Sequence, residues 1–240
     1  MTARPHHVLL LEDDPLMQRF VSYALEDFDL VLTCCHSVAQ AMHALTQQSF
    51  NWILTDLMLP GESGLSFIEK ISCMPDQLGS AQIVALSAGI DPVMQDKLTK
   101  LGVARQLLKP VSVKTLQDLF QTDRASAVCG SRTDGRACAI ESYFAGQTVL
   151  YEKFAHQSRI QFGRDITEAD LAIDKKDCAA THNLAHSLKS VLLLLGHTDA
   201  HRAAATLESL TKFPPLTQQA ESAWQTLKKH LAQLTRDQPH

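Results

Sequence analysis

The periodicity of apolar residues changes only once along this 240-residue chain, and that change constrains its fold more than any other feature. Up to about residue 120, short apolar runs alternate with helical periodicity. Beyond it only the helical period remains. The runs predict strands over residues 7–12, 30–34, 51–56, 82–87 and 104–109. Between the first two, Met17, Phe20, Val21 and Ala24 fall at i, i+3, i+4 and i+7, one buried helical stripe. Ser37 and Ser112 are expected to cap helices, and Asp91-Pro92 reads as an N-cap followed by proline at the first helical position. Five strand–helix units in succession give an α/β fold, a five-stranded doubly wound parallel sheet with helices on both faces.

The stretch 121–139, QTDRASAVCGSRTDGRACA, loses all periodicity and fills with small and polar residues. The expected organisation is therefore a first domain over 1–122, a linker over 123–139 and a second domain over 140–240. Helices are expected over 140–160, 164–175, 177–195, 198–211 and 216–234, with Pro214-Pro215 separating the last two. An all-α segment of this length folds most simply as a helical bundle.

Charge and composition narrow the functions available. The first 122 residues hold 8 Lys/Arg against 13 Asp/Glu, and the remainder 14 against 13. Neither half offers the basic face that nucleic acid requires, so no nucleic-acid partner is expected. No stretch approaches the ~20 apolar residues of a membrane span, and the N-terminus lacks a secretory pattern. Six cysteines show no metal-ligand spacing with the histidines and read as free thiols of a cytoplasmic protein.

In a parallel sheet, chemistry gathers beyond the carboxyl ends of the strands, near the switch in strand order. There the sequence delivers Glu12, Asp13 and Asp14 after the first strand and Asp56 at the end of the third. Ser87 ends the fourth, and Lys109 ends the fifth. Carboxylates packed so closely are costly unless a cation offsets them, and oxygen ligands with room for water suit Mg²⁺. Such an ion would let an aspartate act as a nucleophile toward phosphorus.

Through LLLEDDP, LTDLMLPGESG, ALSAG and LLKP, residues 6–122 resemble the receiver domain of two-component response regulators. The resemblance implies that Asp56 is the phosphoacceptor and that Glu12 and Asp13 are the acidic pair. It also implies that Met58 lends a main-chain carbonyl to the metal, that Ser87 hydrogen-bonds the phosphoryl group, and that Lys109 pairs with its charge. The Lys109-Pro110 bond is often cis in that family. Asp14, one residue past the pair, is expected to be solvated. One departure stands out: where the family carries an aromatic residue three positions before the lysine, this chain has Gln106.

The second half centres on NLAHSLKSVLLLLG. On a helical wheel Leu184, Leu188, Val191 and Leu195 lie opposite His186, which predicts a solvent-facing imidazole with Lys189 and Ser190 beside it. A neutral imidazole is a competent nucleophile near pH 7, and Lys189 can attract phosphoryl oxygens. His182 and His197 read as neighbours rather than acceptors; His156 and His201 have no comparable setting. This region resembles a histidine phosphotransfer (HPt) domain, with His186, Lys189 and Gly196 where that pattern has its histidine, lysine and later glycine. Ser190 replaces the more usual glycine after the lysine. Leu193 is expected to help dock a receiver with Leu194 at its flank, and Leu16 is a candidate counterpart on the receiver side.

The two resemblances together imply a phosphorelay protein, a carrier rather than an enzyme. A sensor histidine kinase would phosphorylate Asp56, and His186 would exchange the group with its own or a downstream receiver. The alternative is a binding module in which phosphorylation of Asp56 gates the HPt face. A phosphohydrolase ranks below both, because DLM on the third strand is not the DxD pair on the first strand that such enzymes use.

Overall fold

In the computed structural model, which describes residues 5–89, 92–120 and 135–236, the chain divides into two compact units, Met1–Thr122 and Asp123–His240. The first contains strands β1 (His6–Leu11), β2 (Leu30–Cys35), β3 (Trp52–Asp56), β4 (Gln82–Ser87) and β5 (Val103–Leu108). All neighbours pair in parallel, in the order β2-β1-β3-β4-β5. From β1 the chain steps outward to β2, then returns across β1 to place β3 on its other side. The switch therefore falls between β1 and β3, whose ends carry the acidic residues. Val8 through Leu11 are fully buried, because helices cover both faces and a strand covered twice needs apolar residues throughout.

Among the described residues this unit has the helices α1 (Pro15–Ala24), α2 (Val38–Gln47), α3 (Gly64–Ser72), α4 (Pro75–Leu78), α5 (Pro92–Lys100) and α6 (Val113–Gln117). Local chemistry starts them. Ser37 accepts a hydrogen bond from the Gln40 amide, and Ser112 from the Thr115 amide, as expected of N-caps. The expected cap at Asp91 lies outside the described residues. Met17, Phe20, Val21 and Ala24 form the buried face of α1. The Lys109-Pro110 peptide is cis.

The second unit is helical throughout its described residues: α7 (Gly135–Phe144), α8 (Thr148–Asp174), α9 (Cys178–Leu194), α10 (Thr198–Leu210) and α11 (Gln218–Arg236). Helix α9 packs against α7, α8 and α10, and α11 packs against α8 and α10. Phe144, Phe154, Phe162, Leu192, Leu207 and Trp224 are fully buried. Two sequence expectations are corrected. Helix α7 begins at Gly135, inside the segment expected as linker, because Ala139 packs inward and Gly135 lies against the backbone of Gly196. The expected break near residue 163 is instead at Ala145 and Gly146, both at positive φ, while Gly163 continues inside α8. No helix among the described residues is long and apolar enough to cross a membrane.

Candidate functional site

Register in the sheet brings the acidic residues together. Leu11 pairs with Thr55 across β1 and β3, so Glu12 and Asp56 leave the sheet side by side. Asp56 is the last residue of β3 and is buried; Glu12 follows β1 directly and is buried as well. Lys109, one residue past β5, reaches back over the sheet edge. Its Nζ lies 2.5 Å from Glu12 Oε2 and 2.7 Å from Asp56 Oδ2, with its side chain only 3% exposed. The other oxygen of Asp56 accepts a hydrogen bond from the Met58 amide at 2.9 Å. One carboxylate is thus held at both oxygens by donors from two different loops.

The electrostatics of this pocket are unbalanced. Glu12, Asp13 and Asp56 each offer a carboxylate oxygen, and these oxygens lie within 4.8 Å of one another. Burial raises the Glu12 carboxyl, Lys109 pulls it down, and Asp56 and Asp14 raise it, which together leave it at about 8. Burial also raises the carboxyls of Asp13 and Asp14. For Lys109, burial favours the neutral amine, but Glu12 and Asp56 outweigh it and hold the ammonium above its ordinary range. A single ammonium therefore does not neutralise the pocket, and the donors are hard oxygens. This is a setting that fits a divalent cation.

The remaining expected residues differ in their engagement. Ser87 sits at the end of β4, buried, but its hydroxyl donates to the Gly89 carbonyl at 2.7 Å rather than reaching toward Asp56. Its main-chain oxygen accepts from the Lys109 amide at 2.8 Å and so helps fix the lysine. Met58 presents its amide to Asp56, and its side chain is half exposed. Gln106 donates from Nε2 to the Gln95 carbonyl at 3.3 Å, bridging β5 to α5. Two expectations fail here. Asp14 is not solvated: it is buried and caps α1, its Oδ1 2.8 Å from the Leu16 amide, because Pro15 opens that helix. Leu16 is only 2% exposed, folded into the core of α1, so it is unavailable as a docking counterpart.

Helix α3 approaches this site more closely than its sequence indicates. Its first residue, Gly64, donates its amide to the Leu57 carbonyl at 3.2 Å. A Cβ added at Gly64 would stand 1.8 Å from the main-chain oxygen of Asp56. The strand end that carries Asp56 is thus in direct contact with a helix N-terminus where a side chain cannot fit.

In the helical unit, His186 and Lys189 both lie on α9, and both turn toward α10. His186 Nδ1 is 2.6 Å from Glu208 Oε1, and Lys189 Nζ is 2.5 Å from Glu208 Oε2. Glu208 was not singled out by the sequence, since its partners are about 20 residues away across a turn. The available signal was an acidic residue directly after buried Leu207 and one turn beyond buried Ala204, at the margin of a core face. Burial alone would raise the Glu208 carboxyl, but the hydrogen bonds from His186 and Lys189 outweigh it and bring it down to about 2.

The expected solvent-facing imidazole is corrected: the His186 side chain is 13% exposed, and Nε2 is buried with no hydrogen-bond partner among the described residues. The reason is that α9 is covered by helices on several sides, so its apolar surface is wider than one stripe. Ser190 and Leu194 are buried too, which removes Leu194 as a docking flank, whereas Leu193 is partly exposed. Two further histidines border the site. His182 Nδ1 lies 3.0 Å from the Glu208 carbonyl, and His201 Nδ1 lies 2.9 Å from the Lys189 carbonyl.

Comparison with known proteins gives the first unit a family. Residues 8–121 match the model of the response regulator receiver domain. The chain is 26% identical over 125 residues to the signal transduction histidine-protein kinase BarA of Escherichia coli, a match covering 52% of this chain and 14% of that protein. It is 32% identical over 111 residues to the hybrid signal transduction histidine kinase D of Dictyostelium discoideum, covering 45% of this chain and 7% of that protein. The chain therefore spans a small part of the length of these relatives. Among solved structures, a response regulator receiver protein from Pseudomonas putida aligns with a TM-score of 0.46 and 26% identity, covering 50% of this chain and 98% of that one.

Proposed function

Given a response regulator receiver domain over residues 8–121, we propose that this protein is a phosphorelay carrier that takes phosphate on Asp56 and passes it through His186. A sensor histidine kinase donates to Asp56, and His186 exchanges the group with this receiver or with that of another protein. The carrying observation is the second acceptor setting: a helix histidine whose Nδ1 and neighbouring lysine are both held by Glu208, with Nε2 unpartnered among the described residues. A relay needs a nitrogen nucleophile as well as a carboxylate, and a receiver alone supplies only the latter. That BarA is named a histidine-protein kinase supports the same class of donor.

In the receiver, Asp56 is the nucleophile and Lys109 holds its oxygen and then the incoming phosphoryl charge. Glu12, Asp13 and Asp56 would hold Mg²⁺, with the Met58 carbonyl as a further ligand. Bound there, the ion would offset the negative charge that Lys109 leaves unneutralised. Ser87 must turn its hydroxyl away from Gly89 to reach a phosphoryl oxygen. The protein carries phosphate and has no turnover of its own.

Two radiolabelled donors test this reading: acetyl phosphate, a carboxylate-type donor, and phosphoramidate, a nitrogen-type donor. Wild type should form an alkali-labile adduct from the first and an alkali-stable, acid-labile adduct from the second. Asp56→Asn should lose the first adduct and His186→Gln the second. Mixing phosphoramidate-loaded Asp56→Asn with His186→Gln then tests transfer between chains. If His186→Gln takes nitrogen-linked label as readily as wild type, or Asp56→Asn takes acyl label, the reading is overturned.

A further inference from the structure

Helix α8 carries apolar side chains on the face that the bundle does not use. Val149, Ile160 and Leu171 are 72%, 51% and 53% exposed. They recur at intervals of 11 residues along the 27-residue helix. Eleven residues complete three turns with about 20° to spare, so the three side chains form one line. The line runs opposite the buried Tyr151, Ser158 and Ala169. Single exposed apolar residues are ordinary, whereas an aligned set marks a contact surface. We propose that this line is an interface between two copies of the protein, with α8 antiparallel to the α8 of its partner about a two-fold axis at Ile160. The inference does not depend on the relay reading, and it concerns a surface that neither Asp56 nor His186 occupies.

The occupant follows from symmetry and charge. Val149 and Leu171 lie 11 residues on either side of Ile160. A two-fold axis there sets Val149 against the partner's Leu171, and Ile160 against the partner's Ile160. Such an axis keeps each flank of the line on its own side and reverses its order along the helix. Lys153 and Glu168, both exposed, share one flank, seven residues before Ile160 and eight after it. Reversal brings Lys153 within about 1.5 Å, along the axis, of the level of the partner's Glu168, and the same pair forms again on the other half. On the second flank, reversal lays His156 over the partner's Gly163. A Cβ at Gly163 would meet nothing within 4 Å, so no contact among the described residues calls for a glycine there. Glycine inside a helix costs stability relative to alanine, and the close approach of a second helix supplies a reason for it. A strongly acidic or basic partner would meet a flank of both signs; the reversed copy matches it charge for charge.

Pairing through α8 leaves the histidine site open. Helix α8 packs on α9 and α11, and α10 packs on the same two helices, so α8 and α10 stand diagonally in the bundle. The outward face of α8 therefore points away from α10 and Glu208, and each copy keeps its His186 side uncovered. From Val149 to Leu171 the line covers two intervals of 11 residues, about 33 Å of helix. One helix pair of this length belongs to the small, transient class of interfaces, so a dissociation constant of about 10–100 μM is expected.

Sedimentation equilibrium of the full chain, over concentrations that span this constant, tests the pairing. Wild type should pass from monomer to dimer. Ile160→Lys sets two like charges against each other on the axis and should weaken association more than about 10-fold. Lys153→Glu and Glu168→Lys should each weaken it roughly 5-fold, because each turns two attractive pairs into repulsive ones. Mixed in equal amounts, these two variants should regain wild-type association, since one pair is then native and the other is reversed in sign. All three positions are exposed, so melting temperatures should stay within about 2 °C of wild type. Wild type that stays monomeric, or Ile160→Lys that associates like wild type, would overturn the inference and leave the face to a different occupant. A mixture that associates no more tightly than its separate components would overturn the antiparallel two-fold register.

Discussion

The contact between Gly64 and Asp56 makes a prediction that joins fold to chemistry. In Gly64→Ala the new methyl would begin 1.8 Å from the Asp56 carbonyl oxygen, 2.8 Å from its carbon and 2.9 Å from Thr55 Oγ1. Carbon–oxygen contacts below about 3.0 Å are not tolerated, so α3 or the end of β3 must move by about 1.2 Å. Overpacking of this kind costs about 1–3 kcal/mol. Displacing the carbonyl also strains the Thr55 hydroxyl bond to it and the Gly64 amide bond to Leu57, each worth about 1 kcal/mol. The expected loss is about 2–4 kcal/mol for the receiver unit, read as a lowered urea midpoint with unchanged slope. Moving the nucleophile by about 1 Å should also slow acyl labelling of Asp56 roughly 100-fold. A variant that loses less than about 1 kcal/mol and labels at the wild-type rate would refute the close-approach argument.

Four further outcomes are expected. Gly196→Ala should destabilise the helical unit by about 2–4 kcal/mol in urea melts, because Gly196 has φ +78° and its Cβ would lie 2.1 Å from the Gly135 oxygen. Glu208 should add about 2 kcal/mol to that unit above pH 4.5, lost as pH falls toward 2, since its folded carboxyl is held below its ordinary value; acid titration of helical circular dichroism in wild type and Glu208→Gln checks this. Glu12 has the opposite sign. Its raised carboxyl makes receiver stability in chelator fall as pH rises from about 4.5 to 8, and Mg²⁺ should flatten that slope in denaturant titrations. Leu193→Glu should leave the melting temperature within about 2 °C while slowing transfer between Asp56→Asn and His186→Gln chains; unchanged transfer would remove Leu193 from the docking surface.

The central strands β1, β3 and β4 were legible because they are buried over most of their length, so burial writes an apolar run into the sequence, whereas the edge strands β2 and β5 are only partly covered. Residues 82–87 matched to the residue, and the others to within one residue at either end. Caps at Ser37 and Ser112 were legible for a local reason: the side chain and the amide it satisfies lie three residues apart. What failed depended on distance in sequence. Asp14 looked like a surplus charge until the start of α1 required a cap. The break before α8 came at Ala145 and Gly146, where the chain must turn, and not at Gly163, which a long packed helix absorbs. Glu208 was invisible because its meaning comes from two side chains across the α9–α10 turn. A helical wheel treats α9 as if only one face were covered, so it exposed a ring that α10 partly shields.

The surroundings of Asp56 and His186 invert one another, and the inversion bears on what each can hold. Around Asp56 one cation, Lys109, bridges two carboxylates, and the excess is negative. Around His186 one carboxylate, Glu208, bridges the Lys189 ammonium and an imidazole, and no negative excess remains. A phosphoryl group brings negative charge to either site. At Asp56 that charge would add to an existing surplus, which a divalent ion held by Glu12, Asp13 and Asp56 would offset. At His186, in the proposed relay, a phosphorylated ring would carry its own positive charge beside Glu208, and Lys189 would have to leave Glu208 to face the phosphate. In the proposed relay the aspartate site would depend on a metal for its charge balance and the histidine site would not. Chelation should accordingly abolish acyl labelling of Asp56 and leave phosphoramidate labelling of His186 intact. Equal sensitivity of the two adducts to chelator would contradict the charge argument at its root.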